Sequence, residues 1–339
     1  MNIKKAIEKV VNLEDLSEGE MRSVFREIMG GKTTPAQIGA FITALRMKGE
    51  TVDEITGAAK VMRKKAARVK IKTKNTELVD TCGTGGSGTK TFNISTLVAF
   101  ILAGEGVKVA KHGNRSVSSS CGSADVLEEL GVKIDIAASK AARCIDKTGL
   151  GFLFAPLFHG AMKHASLPRR EIGVRTIFNI LGPLCNPLGV KRQIMGIYKE
   201  ELTEVMAKVL KKLGSKRAYV VSGCGGLDEV TIAGRTKISE LKGGRIRTYY
   251  VTPGTFGFKK TPISEIRGGS TKRNAKILKD VLGGARGPKR DAALMNAAVA
   301  FMVSGKAKNI KEGVKMAERS IDSGRALEKM KMLIKATDK

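Results

Sequence analysis

The stretch from Asp80 to Thr96, Asp-Thr-Cys-Gly-Thr-Gly-Gly-Ser-Gly-Thr-Lys-Thr-Phe-Asn-Ile-Ser-Thr, constrains this chain more than any other. Leu78-Val79 before it reads as a buried strand, and Leu97 to Ala103 after it reads as an apolar helix. A strand, a glycine loop and a helix in that order belong to parallel α/β sheets, whose ligands sit at the carboxyl ends of strands. Glycines there let backbone N–H groups approach phosphate oxygens, and the helix N-terminus adds positive potential. Two familiar loops are excluded. Gly83, Gly85 and Gly88 satisfy G-x-G-x-x-G, but the next strand ends in Lys111-His112-Gly113-Asn114-Arg115, not in the acidic residue that a dinucleotide fold needs. A Walker loop needs lysine directly after its last glycine, and here Thr89 intervenes before Lys90.

The rest of the chain fits around that unit. With 339 residues it is too long for one small core. The first seventy residues read as four short amphipathic helices. Ser17 with Glu20 and Thr51 with Glu54 have capping-box spacing, Thr34-Pro35 opens a helix, and Gly30-Gly31 and Gly49 are stops. Beyond the basic stretch Lys64 to Lys74, short apolar runs alternate with helical segments. The runs are Val107–Ala110, Phe152–Ala155, Ile194–Tyr198 and Ala218–Ser222. That alternation predicts a mainly parallel central sheet flanked by helices. Lys237 to Val251 reads as a strand-rich end of the sheet, and the chain turns helical again from Asp291. The expected fold class is α/β, with a small helical domain over 1–72 and a large domain over 73–339. A helical segment near 169–190 is expected to join the first domain.

Three further segments carry chemistry. Lys111 to Ser123 ends a strand in a polar loop whose serines and cations suit a diphosphate. Phe158 to His164, followed by Arg169-Arg170 and Arg175, offers guanidinium groups that can grip a carboxylate with paired hydrogen bonds. Gly223-Cys224-Gly225-Gly226-Leu227-Asp228-Glu229 places adjacent carboxylates after a strand, a donor set suited to magnesium. Five scattered cysteines without a C-x-x-C pair signal neither disulfides nor zinc, which fits a reducing cytoplasm. No apolar run is long enough for a membrane span, and the N-terminus lacks the apolar stretch of a signal peptide.

In order, these segments resemble the anthranilate phosphoribosyltransferase family. The resemblance runs from the N-terminal helices to Asp322-Ser323-Gly324-Arg325-Ala326-Leu327. Its most specific parts are the loop at Gly83, Lys111-His112-Gly113-Asn114-Arg115, and Arg175-Thr176-Ile177-Phe178-Asn179-Ile180-Leu181-Gly182-Pro183-Leu184. It implies a fold of the nucleoside phosphorylase and class II phosphoribosyltransferase type, a homodimer, and transfer of a 5-phosphoribosyl group to anthranilate in tryptophan biosynthesis. Gly83, Gly86, Ser87, Thr91, Asn93, Ile94, Ser95 and Thr96 would contact phosphoribosyl diphosphate. Lys111, His112, Gly113, Asn114, Arg115, Ser116, Val117, Ser118, Ser119 and Ser123 would complete that cradle. Ser95, Asp228 and Glu229 would hold two magnesium ions. Gly83, Asn114 and Arg169 would contact anthranilate, with His112, His159, Arg175 and Pro183 nearby. No general base is assigned. The chain departs from the family pattern at Ser87, often aspartate, at Gly160, often proline, and at Ser270-Thr271-Lys272, which replaces a more acidic stretch. A pyrimidine nucleoside phosphorylase, or a nucleic-acid-binding relative with little catalysis, are the alternative readings.

The net charge of +29 comes from 61 Lys and Arg against 32 Asp and Glu, spread along the whole chain. A basic field attracts any polyanion, and no zinc-finger or aromatic RNA-binding signature accompanies it. Binding to duplex DNA is therefore expected to be weak and indifferent to sequence, with Kd of about 10⁻⁴ to 10⁻⁶ M at physiological salt. Fluorescence anisotropy across a salt series checks this. Tight binding to one sequence that survives physiological salt would revive the nucleic-acid reading.

Overall fold

The computed structural model describes residues 1–67, 69–85, 91–116 and 121–338. Four helices open the chain: α1 (Ile3–Val11), α2 (Glu18–Ile28), α3 (Pro35–Lys48) and α4 (Val52–Lys65). Their starts are written in the local sequence. Asn2, Ser17, Thr34 and Thr51 each accept a hydrogen bond from the backbone N–H three residues on, satisfying a donor that the helix leaves open. The last three are complete capping boxes. Gly49 ends α3 at φ 93°, where a side chain would be strained.

The chain then alternates strand and helix. It runs through β1 (Leu78–Gly83), α5 (Ile94–Gly104), β2 (Lys108–Gly113), α6 (Ser123–Glu129), α7 (Ala138–Thr148) and β3 (Leu150–Phe154). Next come α8 (Ala155–Phe158), α9 (Lys163–Ile172), α10 (Ile177–Leu181), β4 (Arg192–Gly196), α11 (Leu202–Lys212) and β5 (Arg217–Gly223). A hairpin, β6 (Thr236–Lys242) and β7 (Arg245–Val251), precedes four closing helices: α12 (Thr271–Leu282), α13 (Pro288–Ser304), α14 (Ile310–Asp322) and α15 (Arg325–Asp338). The sheet order is β3-β2-β1-β4-β5-β6-β7. β1 to β5 are parallel, and β6 and β7 extend the sheet antiparallel.

Two expectations shift. The apolar runs understate the strands, because Asp80 to Gly83 and Lys111 to Gly113 lie inside β1 and β2. Backbone pairing carries them: Thr81 with Ile194, Gly83 with Gly196, Lys111 with Phe152 and Gly113 with Phe154. A ladder is set by the main chain, so polar side chains can ride its last residues. The closing helices also begin earlier than Asp291, at Thr271 and Pro288.

Alternate residues of the central strands enter different cores. Val79, Ile194, Tyr219 and Val221 join a core with α5 and α13 to α15. Met195, Ala218 and Val220 join a core with α1 to α4, α9, α10 and α11. A parallel sheet covered on both faces needs this two-sided burial. Helix α5 is enclosed along nearly its whole length and packs against α13, α14 and α15. No helix among the described residues is long and apolar enough to cross a membrane.

Gly104, at the end of α5, sets how closely those helices meet. A Cβ there would stand 2.2 Å from Ser320 Oγ and 2.9 Å from the backbone nitrogen of Ala326. Gly104→Ala should therefore destabilise the fold by about 1–3 kcal/mol through overpacking. A urea midpoint unchanged from the parent would contradict this contact.

Candidate functional site

Between β1 and β4 the order of strands reverses direction. β1 leads outward to β2 and β3, whereas the chain returns to β4 on its other side. Such a switch opens a crevice at the carboxyl ends, the usual ligand place in open α/β sheets. Here those ends are glycines: Gly83 on β1, Gly196 on β4 and Gly223 on β5. At Gly83 and Gly196 the reason is that the chain at Asp228 crosses directly over them. A Cβ at Gly196 would lie 1.6 Å from the Asp228 carbonyl oxygen, and one at Gly83 would lie 2.5 Å from Asp228 Oδ2. A tight turn brings the acids there. Gly223 N donates to Leu227 O at 2.7 Å, while Gly225 and Gly226 take φ of 76° and 75°. Asn296 on α13 then clamps Val230, accepting from its N–H at 2.9 Å and donating to its carbonyl at 2.8 Å.

The acids face the glycine loop. Gly85 N donates to Asp228 Oδ2 at 2.7 Å, and Thr91 Oγ1 donates to Glu229 Oε2 at 3.3 Å. Both carboxylates keep some accessible surface, yet they lie deep among protein atoms. Burial raises the Asp228 pKa, against the Gly85 N–H and the nearby Arg175 charge. Burial also raises Glu229, and the Asp228 charge adds to it. Two carboxylates crowded in this way gain from a shared hard cation. Among the described residues no group of three or more His, Cys, Asp or Glu side chains could hold a metal by itself. The donor set therefore fits magnesium completed by ligand oxygens and water. Ser95, expected to join the acids, accepts from Lys111 Nζ at 3.1 Å in this structure.

Lys111 is buried beneath this floor. Its ammonium donates to Thr81 O at 2.5 Å as well as to Ser95, and Asp80 and Glu229 supply negative charge around it. Asp80 is wholly buried, and burial pushes its carboxyl up to about 6 against the pull of Asn186 and Lys111. It accepts from His112 N at 3.2 Å and from Asn186 Nδ2 at 2.9 Å, tying β1 to β2. Ile94 is core, so its contribution to a ligand is its backbone alone. Thr96 is likewise buried, with no hydrogen-bond partner for its hydroxyl among the described residues. Asn93 precedes α5 and spends its side chain on structure, donating to Cys121 O at 3.2 Å and accepting from Asn274 Nδ2 at 3.1 Å.

The second loop is held at both ends. Asp125 Oδ2 accepts from Ser116 N at 3.1 Å and from Gly122 N at 2.8 Å. Ser123 Oγ donates to Asn114 O at 3.3 Å, and a Cβ at Gly113 would meet that hydroxyl at 2.3 Å. Asn114 is exposed, with Oδ1 accepting from Arg115 N at 2.8 Å. Arg115 turns to Asp125 and Glu128 and lies 5.6 Å from the Phe154 ring centroid. Gly86, Ser87, Val117, Ser118 and Ser119 lie outside the described residues.

The opposite wall comes from the helical layer. α9 packs on α3, and its last turn carries Arg169, partly buried with its guanidinium 4.9 Å from the Phe178 ring centroid. Arg170 beside it is exposed. Arg175 lies over Tyr198 at 4.2 Å. His112 and His159 meet edge to face at 5.2 Å, next to Gly182 and Cys185 backbone. Burial, more than any other cause, lowers the pKa of both imidazoles, with His112 pushed down to about 3. Each keeps a buried Nε2 without a partner among the described residues. Pro183 sits next to Gly182, its carbonyl accepting from Gln193 Nε2 at 2.6 Å. Gly83 and Asn114 thus belong to strand ends and Arg169 to the helical layer, so a ligand touching all three spans the crevice. Asp80, Asn186, Gln193, Asp125, Asn274 and Asn296 support this arrangement and were not singled out from the sequence. Only Asp80, inside the glycine segment, carried a visible signal.

Residues 4–66 match the helical bundle domain of a glycosyl transferase family, and residues 75–327 match its a/b domain. Anthranilate phosphoribosyltransferase of Citrifermentans bemidjiense is 53% identical, covering 99% of both chains. That of Geobacter sulfurreducens is 54% identical over the same shares. The crystal structure of anthranilate phosphoribosyltransferase from Thermus thermophilus superposes with a TM-score of 0.93 at 38% identity, covering 98% of this chain and 99% of that one. The Saccharomyces cerevisiae enzyme in complex with PRPP and Mg gives 0.90 at 30% identity, covering 99% and 98%. With the fold, the acid pair over the glycine strand ends and these likenesses in agreement, the chain belongs to the anthranilate phosphoribosyltransferases within that glycosyl transferase family.

Proposed function

We propose that this chain transfers the 5-phosphoribosyl group of 5-phosphoribosyl 1-diphosphate to the amino nitrogen of anthranilate, releasing diphosphate, in tryptophan biosynthesis. The observation that carries this reading is the seating of Asp228 against Gly83 and Gly85, with Glu229 against Thr91. It sets a half-buried acid pair against a glycine loop and a helix N-terminus, which is what a magnesium-bound diphosphate requires. Relatives support the same ligands: the yeast structures carry PRPP with Mg in one case and 4-fluoroanthranilate in another.

In this reading Asp228, Glu229 and Ser95 hold two magnesium ions. Bound there, the metal neutralises the charge that develops on the departing diphosphate. The start of α5 would present N–H groups to the phosphates. The Lys111 ammonium, fixed by Thr81 and Ser95, adds charge from below. Asn114, Ser116 and Ser123 would complete the cradle. The arylamine of anthranilate is already a nucleophile, so the protein's task is to orient it and exclude water. Arg169 would grip its carboxylate, while the neutral His112 and His159, with Pro183, form the wall beside its ring. The helical layer is the natural closing element, since it supplies Arg169 from across the crevice.

A homodimer suits the same layer. Val11, Leu13 and Met47 are exposed at the ends of α1 and α3, which pack together, and Leu167 is exposed on the adjoining α9. Apolar side chains gathered on one set of helices favour burial against a second copy. Action in the cytoplasm is consistent with five unpaired cysteines.

Asp228→Ala and Glu229→Ala should each lower kcat/KM by about 10²-fold or more, the scale of removing one electrostatic stabiliser of a developing charge. Near-normal turnover of the double variant at ordinary magnesium would remove the metal assignment. Arg169→Ala should raise KM for anthranilate by about one to two decades, the loss of a charge-assisted bond, and leave KM for phosphoribosyl diphosphate nearly unchanged. Arg170→Ala is the control, because Arg170 is exposed beside it. If both arginine variants behave alike in steady-state kinetics, Arg169 does not read the carboxylate.

A further inference from the structure

The antiparallel extension of the sheet builds a second cleft that phosphoribosyl transfer does not use. It holds about 670 Å³ and lies between the β5–β6–β7 face and the corner where α13 leads into α14. Strand pairing sets its side chains in rows. Arg217 pairs with Lys242, and one step on, Tyr219, Glu240 and Arg247 align across three strands. Alternation keeps these rows on one face. Met302 and Ile310 form the opposing apolar wall.

Charge and shape in the cleft are unequal. Arg217, Lys242, Arg247 and Lys308 line it against one carboxylate, Glu240. Among the described residues none of those four cations forms an ion pair. Glu240 is already engaged, accepting from Tyr219 Oη at 2.8 Å and from Tyr249 Oη at 3.3 Å. Both phenols are thereby held protonated, chiefly by burial and then by that carboxylate, and their rings are fixed in place. Arg247 lies 5.6 Å from the Tyr249 ring centroid. The cleft thus offers cations without counter-charges, a fixed aromatic wall and a volume typical of small-molecule sites.

We propose that this cleft is a second ligand site, for a small phosphorylated aromatic compound of the nucleotide class. Its phosphates would meet Arg217, Lys242 and Lys308, and its ring would lie against Tyr249. The site is separate from the catalytic crevice. Arg217 opens β5 and Gly223 closes it, so six rises of about 3.3 Å place the two roughly 20 Å apart, at opposite ends of one strand.

Isothermal titration of the full chain with ADP, its catalytic site filled by phosphoribosyl diphosphate and magnesium, tests this. One ADP per chain is expected, with adenosine and inorganic diphosphate each weaker by about tenfold or more, since each lacks one half of the recognition. The Lys242→Ala/Arg247→Ala variant, altered at two exposed positions, should weaken ADP by about tenfold and leave KM for both substrates unchanged. Tyr249→Leu should weaken ADP more than inorganic diphosphate. The proposal fails if ADP does not bind while the catalytic site is filled, or if the double variant binds it equally well. It also fails if a single-stranded oligonucleotide binds more tightly than ADP and displaces it, because the surface would then be one for nucleic acid.

Discussion

Much of this structure depends on one close approach. The backbone at Asp228 passes over the last residues of β1 and β4, where no side chain fits at Gly83 or Gly196. That passage brings two carboxylates from the end of β5 to the loop that leaves β1. It also requires the strand order to reverse between β1 and β4, since only a switch point leaves a crevice for the crossing chain. Asn296, reaching from α13 to both backbone groups of Val230, fixes the height of the crossing. A polar side chain buried in a core helix thereby serves the geometry of the site.

The charges under the crevice form a balanced but uncomfortable set. Asp80, Lys111, Asp228 and Glu229 all lie where water is scarce, and burial opposes the charged form of each. Such strain persists only where the surrounding fold over-determines the positions or where ligands relieve it. Here strand pairing fixes Asp80 and Lys111, whereas a bound cation and diphosphate would relieve the acid pair. His112 on β2 and His159 after α8 are also buried, and each keeps a buried Nε2 without a partner among the described residues. They are neutral and pack edge to face, which suits the flank of an aromatic ring.

The large positive charge gains partial meaning from the fold. Some of it concentrates at the far end of the sheet, where β5, β6 and β7 present Arg217, Lys242 and Arg247 with little acid among them. Elsewhere cations are consumed by structure. Arg290 is buried against Asp322, and Arg319 and Arg325 flank the buried Glu105. Composition alone could not separate these uses, because a lysine or arginine count carries no position.

What the sequence by itself determined was local. Ser17, Thr34 and Thr51 named the helix starts, and the glycine segment after Leu78-Val79 named the strand end where the candidate site lies. Cap geometry and glycine permissiveness act over three or four residues, so they can be read from neighbours. Resemblance in several ordered segments then named the family. The tertiary structure alone decided which residues support the site. Asp80, Asn186, Gln193, Asp125 and Asn296 work across separations of 3 to more than 100 positions, and nothing local marks a polar residue that will be buried with a distant partner. It also set apart Arg169 and Arg170, which residue type alone does not distinguish and only the family resemblance had ranked. Helical rotation half-buries Arg169 beside Phe178 and leaves Arg170 exposed. The strand ends followed the same rule: main-chain pairing with β3 and β4 drew Lys111 to Gly113 and Asp80 to Gly83 into the sheet, and pairing is a property of two strands, not of one segment.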